Sequence, residues 1–165
     1  MTLLATITDA DLGLPYTFPA TYESRTACRA LLFDAEGRIA YMHNGAKNHY
    51  KLPGGGLEGN ETLEQTLVRE MREEAGCSVH KAVYLGYVEE RRGKNGFLQT
   101  SHLYRAEVLG PKGKPQFDAG EQAENFTLHW LTPVEAITRL QSDPATTDYN
   151  LTFMHAREKR LLTFL

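Results

Sequence analysis

Residues Arg69 to Gly76 read REMREEAG and hold three glutamates, Glu70, Glu73 and Glu74, spaced three and four apart. On a helix of 3.6 residues per turn that spacing gathers the carboxylates on one side. Like charges so placed repel by roughly 0.2–0.5 kcal/mol per pair on a bare helix. Two readings follow: a solvated face in which Arg69 pairs with Glu73, or a face that meets a cation. A hard cation suits the second, because Mg2+ takes oxygen ligands and keeps several waters that substrate phosphates can replace. Just upstream, LPGGGLEGNE places Gly54, Gly55 and Gly56 in a row after a proline. Such backbone turns sharply, approaches a ligand closely and leaves carbonyls free to face a metal.

These groups need elements to hold them. Thr62 as N-cap and Gln65 three positions on form a capping box, and Gly76 stops the helix they open. Leu67, Val68, Met71 and Ala75 recur at helical spacing and predict its core-facing stripe. Before the helix, ACRALLFD and RIAYMHN read as a hairpin and HYKLP as a third short strand; after it, HKAVYLGYVEERR and FLQTSHLYRAEVLG alternate around the turn GKNG. FTLHWL is a further strand. TPVEAITRL opens a helix at Thr132, with Pro133 at its first position and Glu135 closing a second capping box. Residues 143–165 predict a C-terminal helix. Residues 1–24, with Pro15 and Pro19, read as an extended arm or a short edge strand. Together they predict an α/β sandwich, a central mixed β-sheet covered by helices, in one domain spanning 1–165.

Composition narrows the partners. With 18 Lys and Arg against 21 Asp and Glu, the net charge of -3 lacks the basic footprint that a nucleic-acid polymer needs. A small phosphorylated substrate remains compatible, since a metal and a few Arg or Lys meet its charge locally. The cysteines, Cys28 and Cys77, have no metal or redox spacing and read as buried thiols of a reducing compartment. The chain lacks both a secretory leader pattern and an apolar run near the ~20 residues of a membrane span. A cytoplasmic protein without a membrane partner is the expectation.

From Gly55 to Cys77, GGLEGNETLEQTLVREMREEAGC resembles the box of the Nudix (MutT-like) hydrolases. Gly55, Glu61, Arg69, Glu70, Glu73, Glu74 and Gly76 occupy its fixed positions, with Met71 and Cys77 in the apolar ones. Cys77 stands where a larger aliphatic residue is usual, and Asn60 where Gly often precedes the first Glu. Tyr50 to Gly55, YKLPGG, is similar to the strand by which relatives enter the box, and Trp130 to Glu135 to their last strand and following helix. Coverage runs from about Ala27 to Leu140.

The resemblance implies the Nudix α/β/α sandwich and a hydrolase, needing Mg2+ or Mn2+, that cuts the phosphoanhydride of a nucleoside diphosphate linked to another moiety. Nucleoside triphosphates, oxidised nucleotides and nucleotide sugars stay open as substrates. ADP-ribose and dinucleoside polyphosphates are disfavoured, because RGKN (92–95) holds neither the Pro nor the Tyr that accompanies them in relatives. By position, Glu70, Glu74 and the Gly55 carbonyl are the implied metal ligands, and Glu73 shares the metals or holds a water. Gly54, Gly56, Glu61, Arg69 and Gly76 are implied as structural parts of the site. The general base is expected outside the box, at Glu124 first or Glu121.

For substrate contacts, Arg25 and Arg29 share a side of the first strand by alternation, against a plain surface reading of both. Tyr50, Phe97, Tyr104 and Phe126 are candidate stacking platforms, against a core reading. Arg91, Arg92 and Lys94 fall at the hairpin tip. The six histidines, lacking metal spacing, receive no role. A homodimer is left open by the resemblance. A nucleotide-sensing module without turnover and a diphosphate isomerase are the alternative functions; the first fits the intact box less well, and the second calls for further catalytic features that this sequence does not place.

Overall fold

The computed structural model describes residues 1–16 and 18–165. Seven strands among them form one mixed sheet. β1 (Leu3–Thr8) lies parallel to β5 (Ser78–Arg92), which runs antiparallel to β6 (Phe97–Leu109); β6 in turn runs parallel to β2 (Glu23–Phe33). Beyond it, β3 (Ile39–Asn44) pairs antiparallel with both β4 (His49–Lys51) and β7 (Phe126–Leu131). The N-terminal arm therefore supplies an edge strand. No helix among the described residues is long and apolar enough to cross a membrane.

The sheet opens where the site lies. β2 and β3 pair at Phe33 and Ile39, beside their connecting turn, and then part. The free edge of β2 is taken up by the glycine loop: Ala30 N–H donates to the Pro53 carbonyl (3.1 Å), Cys28 N–H to Gly55 (2.9 Å), and Leu57 N–H to Thr26 (3.1 Å). Backbone that would otherwise be orphaned is thus paired.

Two cores flank the sheet, so β2 is apolar on both sides, as buried strands are. Cys28, Ala30 and Leu32 face α1 (Leu63–Ala75) with Leu67, Met71 and Ala75. Leu31 turns the other way, toward the core under α3 (Pro133–Gln141) and α4 (Tyr149–Leu161) with Tyr41, Leu103 and Phe153.

The predicted caps of α1 are present: Thr62 Oγ1 accepts from Gln65 N–H (3.2 Å), and Gln65 Oε1 from Thr62 N–H (2.8 Å). The predicted stripe needs one correction, because Val68 is 40% exposed. Leu67, Met71 and Ala75 form a single row four apart, and the adjoining buried row is Glu70 and Glu74, not valine. A further helix, α2 (Ala119–Ala123), falls in what reads as loop; Asp118 caps it, exchanging hydrogen bonds with Glu121. The C-terminal helix starts later than position 143, at Tyr149, because Asp148 caps it through Leu151 N–H (2.8 Å).

α4 ties distant parts together through charge. Arg157, 2% exposed, pairs with Glu90 (3.1 Å) and Glu158 (3.0 Å), and Arg92 pairs with Glu90 (2.7 Å). Arg92 is thus buried, away from the hairpin surface where its sequence position suggests it sits. Glu158 accepts from Leu52 N–H (2.8 Å), immediately before the glycine loop.

Candidate active site

Beside the parted strands lies a cleft of about 550 Å3, bounded by α1, the glycine loop, α2 and the outer ends of β3 and β4. Of the residues picked from sequence, Gly54, Gly55, Gly56, Arg69, Glu70, Glu73, Glu74, Glu121, Glu124, Arg25 and Arg29 line it. Tyr50 and Phe97 do not. Tyr50 stacks on Tyr41 at 5.4 Å, against the α3–α4 core. Phe97 lies next to Arg92, whose guanidinium is 5.4 Å from its ring. Tyr104 belongs to the α1-side core, and Phe126 reaches the cleft.

Arg69 organises the α1 wall. Its Nε and Nη2 grip both oxygens of Glu61 (2.8 and 3.0 Å), Nη2 also donates to the Gly56 carbonyl (2.9 Å), and Nη1 reaches Glu70 (2.8 Å) and Glu73 (3.0 Å). One planar fork thereby fixes the loop and two glutamates. That grip holds Glu61 down to about 2. Gly76 stands off the cleft at the helix end, where its carbonyl accepts from Gly113 N–H (2.8 Å).

Glu70 and Glu74 differ in setting although both are buried. Burial, and next the charge of Glu74, raise Glu70 above the usual carboxylate range. Burial also acts against the Glu74 anion, but Lys51 (2.9 Å), the carboxyl of Glu121, Arg29 and the N–H of Gly54 together hold it below that range. Glu121 is the complement: burial, and next the neighbouring Glu74 carboxyl, push it up to about 7. Glu124 is held low, first by Lys47 (2.9 Å) and also by Asn44.

The loop glycines fit these carboxylates closely. Gly54 has φ +132°, and a Cβ there would run into the Cys28 carbonyl; a Cβ on Gly55 would occupy the place of the Glu70 carboxylate. The loop and α1 are therefore in direct backbone-to-carboxylate contact, which any larger residue would break.

Among the described residues no three His, Cys, Asp or Glu side chains converge into a self-contained metal cage. A divalent ion needs less than that here, because Mg2+ is commonly held by one or two carboxylates, with water and substrate oxygens completing its shell. Glu70 and Glu74, hard oxygen donors one turn apart whose mutual repulsion a cation would relieve, meet that requirement. The Gly55 carbonyl keeps one lone pair beyond its bond to Cys28.

Sequence reasoning missed Asn44, Lys47, His49, Lys51, Gln116, Asp118 and Met154, which also line the cleft. Lys51 had a signal, standing one residue before LPGGG. Met154 had none, since it arrives from α4.

The chain belongs to the NUDIX domain family, whose model matches residues 23–151. It is similar to the ADP-ribose pyrophosphatase of Methanocaldococcus jannaschii, 36% identical over 94 residues covering 56% of this chain and 54% of that protein. It is also similar to the RNA pyrophosphohydrolase of Halorhodospira halophila, 25% identical over 117 residues covering 62% and 65%. The match thus spans less than two thirds of either curated relative. Among solved structures, a NUDIX hydrolase from Nitrosomonas europaea superimposes with a TM-score of 0.60 at 18% identity, covering 84% of this chain and 91% of that one. At such identity this likeness speaks for the fold.

Proposed function

We propose that the protein is a Mg2+- or Mn2+-dependent hydrolase that cuts the phosphoanhydride of a nucleoside diphosphate linked to another moiety. The observation that carries it is the burial of Glu70 and Glu74 one helical turn apart, against the glycine loop and facing a cationic wall. Glu70, Glu74 and the Gly55 carbonyl would hold the ion, with Glu73 at the rim. When bound, the ion supplies charge neutralisation of the phosphates and activation of water. The chain's own residues do the rest. Arg69 keeps the glutamates and the loop in register. Lys51 and Arg29 face the substrate's negative charge. Glu121, which lines the cleft together with Glu74, would take the proton of the attacking water. Glu124, the first choice from sequence, has its oxygens engaged by Lys47 and Asn44 and is the weaker base.

On this reading the enzyme works in the cytoplasm on a small nucleotide. Relatives named for ADP-ribose and for RNA argue for including both in the test. Purified protein is incubated with Mg2+ or Mn2+ and a panel of nucleoside triphosphates, oxidised nucleotides, nucleotide sugars, ADP-ribose and 5′-triphosphorylated RNA, and loss of substrate and the phosphorylated products formed are followed by chromatography. Turnover that EDTA abolishes and Glu74→Gln strongly reduces is expected. No turnover across the panel, or full activity in EDTA, overturns the proposal.

A further inference from the structure

Opposite the glutamates stands an arginine with nothing to hold. Arg29 is 6% exposed and lines the cleft, yet its Nε and Nη1 have no hydrogen-bond partner among the described residues. Glu74, Glu158 and Glu70 influence it from a distance. A guanidinium keeps its charge at any biological pH, so enclosing it without a contact partner is expensive. A water could satisfy the N–H groups but could not offset the charge. His49 repeats the pattern: it is 1% exposed, lines the same cleft, and its Nε2 has no partner among the described residues. Arg25 adds a second guanidinium, packed so closely over Gly56 that a Cβ there would come within 2.8 Å of its Nε.

The lining is equally informative about the organic part of a ligand. Phe126 is the one Phe, Tyr or Trp ring among the described residues lining the cleft, and the Lys51 ammonium lies over it at 4.8 Å. A base held by stacking needs an open aromatic face, preferably two. A neutral sugar beside Arg29 would leave the guanidinium as uncompensated as before, whereas phosphate oxygens match its fork and cancel its charge.

Resting on the hydrolase reading, we propose that the cleft selects its substrate by the phosphate chain. Arg29 and Arg25, flanked by His49 and Lys51, bind further phosphates of the chain, and the base stays outside the polar lining. The substrate class is the nucleoside triphosphates with any base, in preference to nucleotide sugars and ADP-ribose.

Two measurements test this separately from turnover. Calorimetry in EDTA follows inorganic tripolyphosphate binding to wild type, Arg29→Met and Arg29→Lys, with melting temperatures confirming folding; Arg29→Gln replaces any variant that fails to fold. Loss of the fork should weaken binding by about tenfold or more in Arg29→Met, with partial recovery in Arg29→Lys. In the hydrolysis assay, kcat/KM for ATP, GTP, CTP and UTP should agree within about threefold, and UDP-glucose and ADP-ribose should fall about tenfold or more below them. Equal tripolyphosphate binding in all variants overturns the proposal even if nucleotides are hydrolysed. So does a preference of about tenfold or more for one base, or for a sugar-linked diphosphate. Binding that depends on Arg29 without any hydrolysis supports the phosphate subsite and removes the hydrolase reading instead.

Discussion

Glu121 and Glu124 stand three positions apart and line one cleft, yet their neighbours give them opposite characters. Lys47 and Asn44 engage Glu124, so its negative charge is spent on holding the β3–β4 turn region to α2. Glu121 lines the cleft together with Glu74 and has no cation within ion-pair distance among the described residues. Steady-state kinetics should separate them. Glu121→Gln is expected to lower kcat by ~10²–10⁴, the range for loss of a general base, and Glu124→Gln by less than about tenfold. A reversed order would return the role to Glu124. Arg69 is the counterpart on the other wall, where one side chain serves Glu61, Glu70, Glu73 and the Gly56 carbonyl together.

The β2–β3 turn is anchored by Asp34, which accepts from Arg38 Nε (3.0 Å) and Lys112 Nζ (2.8 Å), while Lys112 also lies over the Trp130 ring. Burial pushes the Asp34 carboxyl up, but those partners outweigh it and leave it at about 2, below its ordinary 3.8. A folded-state value lower than the unfolded one stabilises the protein above the unfolded value, and the gain is lost as pH falls through the folded one. Urea unfolding of Asp34→Asn should therefore show a deficit on the order of 1–2 kcal/mol at pH 6 that shrinks between pH 4 and pH 2. A deficit of constant size would assign the anchor to shape rather than charge. Much of this architecture is legible beforehand. Thr62, Gln65 and Gly76 bracket α1 by local chemistry that owes nothing to distant contacts, and the glutamate spacing places the carboxylates. Tyr50 and Phe97 could not be placed, because alternation says which residues share a face but not which face meets the cleft. Val68 failed for the reason that makes the site: an amphipathic count gives buried positions to apolar residues, and here α1 gives two to glutamates. Nor does any local signal announce that β2 and β3 part, since that depends on the glycine loop claiming the β2 edge.

Across the molecule, α4 acts as a clasp. Its Arg157 lies between Glu90 and Glu158, all three buried. Arg157→Met should cost about 3–5 kcal/mol in equilibrium unfolding, because Glu158 would stay enclosed without a counter-charge while Glu90 would keep only Arg92; replacing Glu158 with Gln in the same chain should recover part of the loss. A near-neutral single variant would mean that water reaches these groups. The same helix donates from Arg160 to the Leu4 carbonyl (2.6 Å) and from Tyr149 to Asp9 (2.7 Å), drawing in the first strand as well. The bond from Leu52 to Glu158 joins positions 106 residues apart. During synthesis the glycine loop and every box glutamate thus leave the ribosome well before the carboxylate that steadies the loop. A growing chain carries the complete box but not its brace, and the cleft can take its finished shape only once α4 has emerged and closed over the sheet.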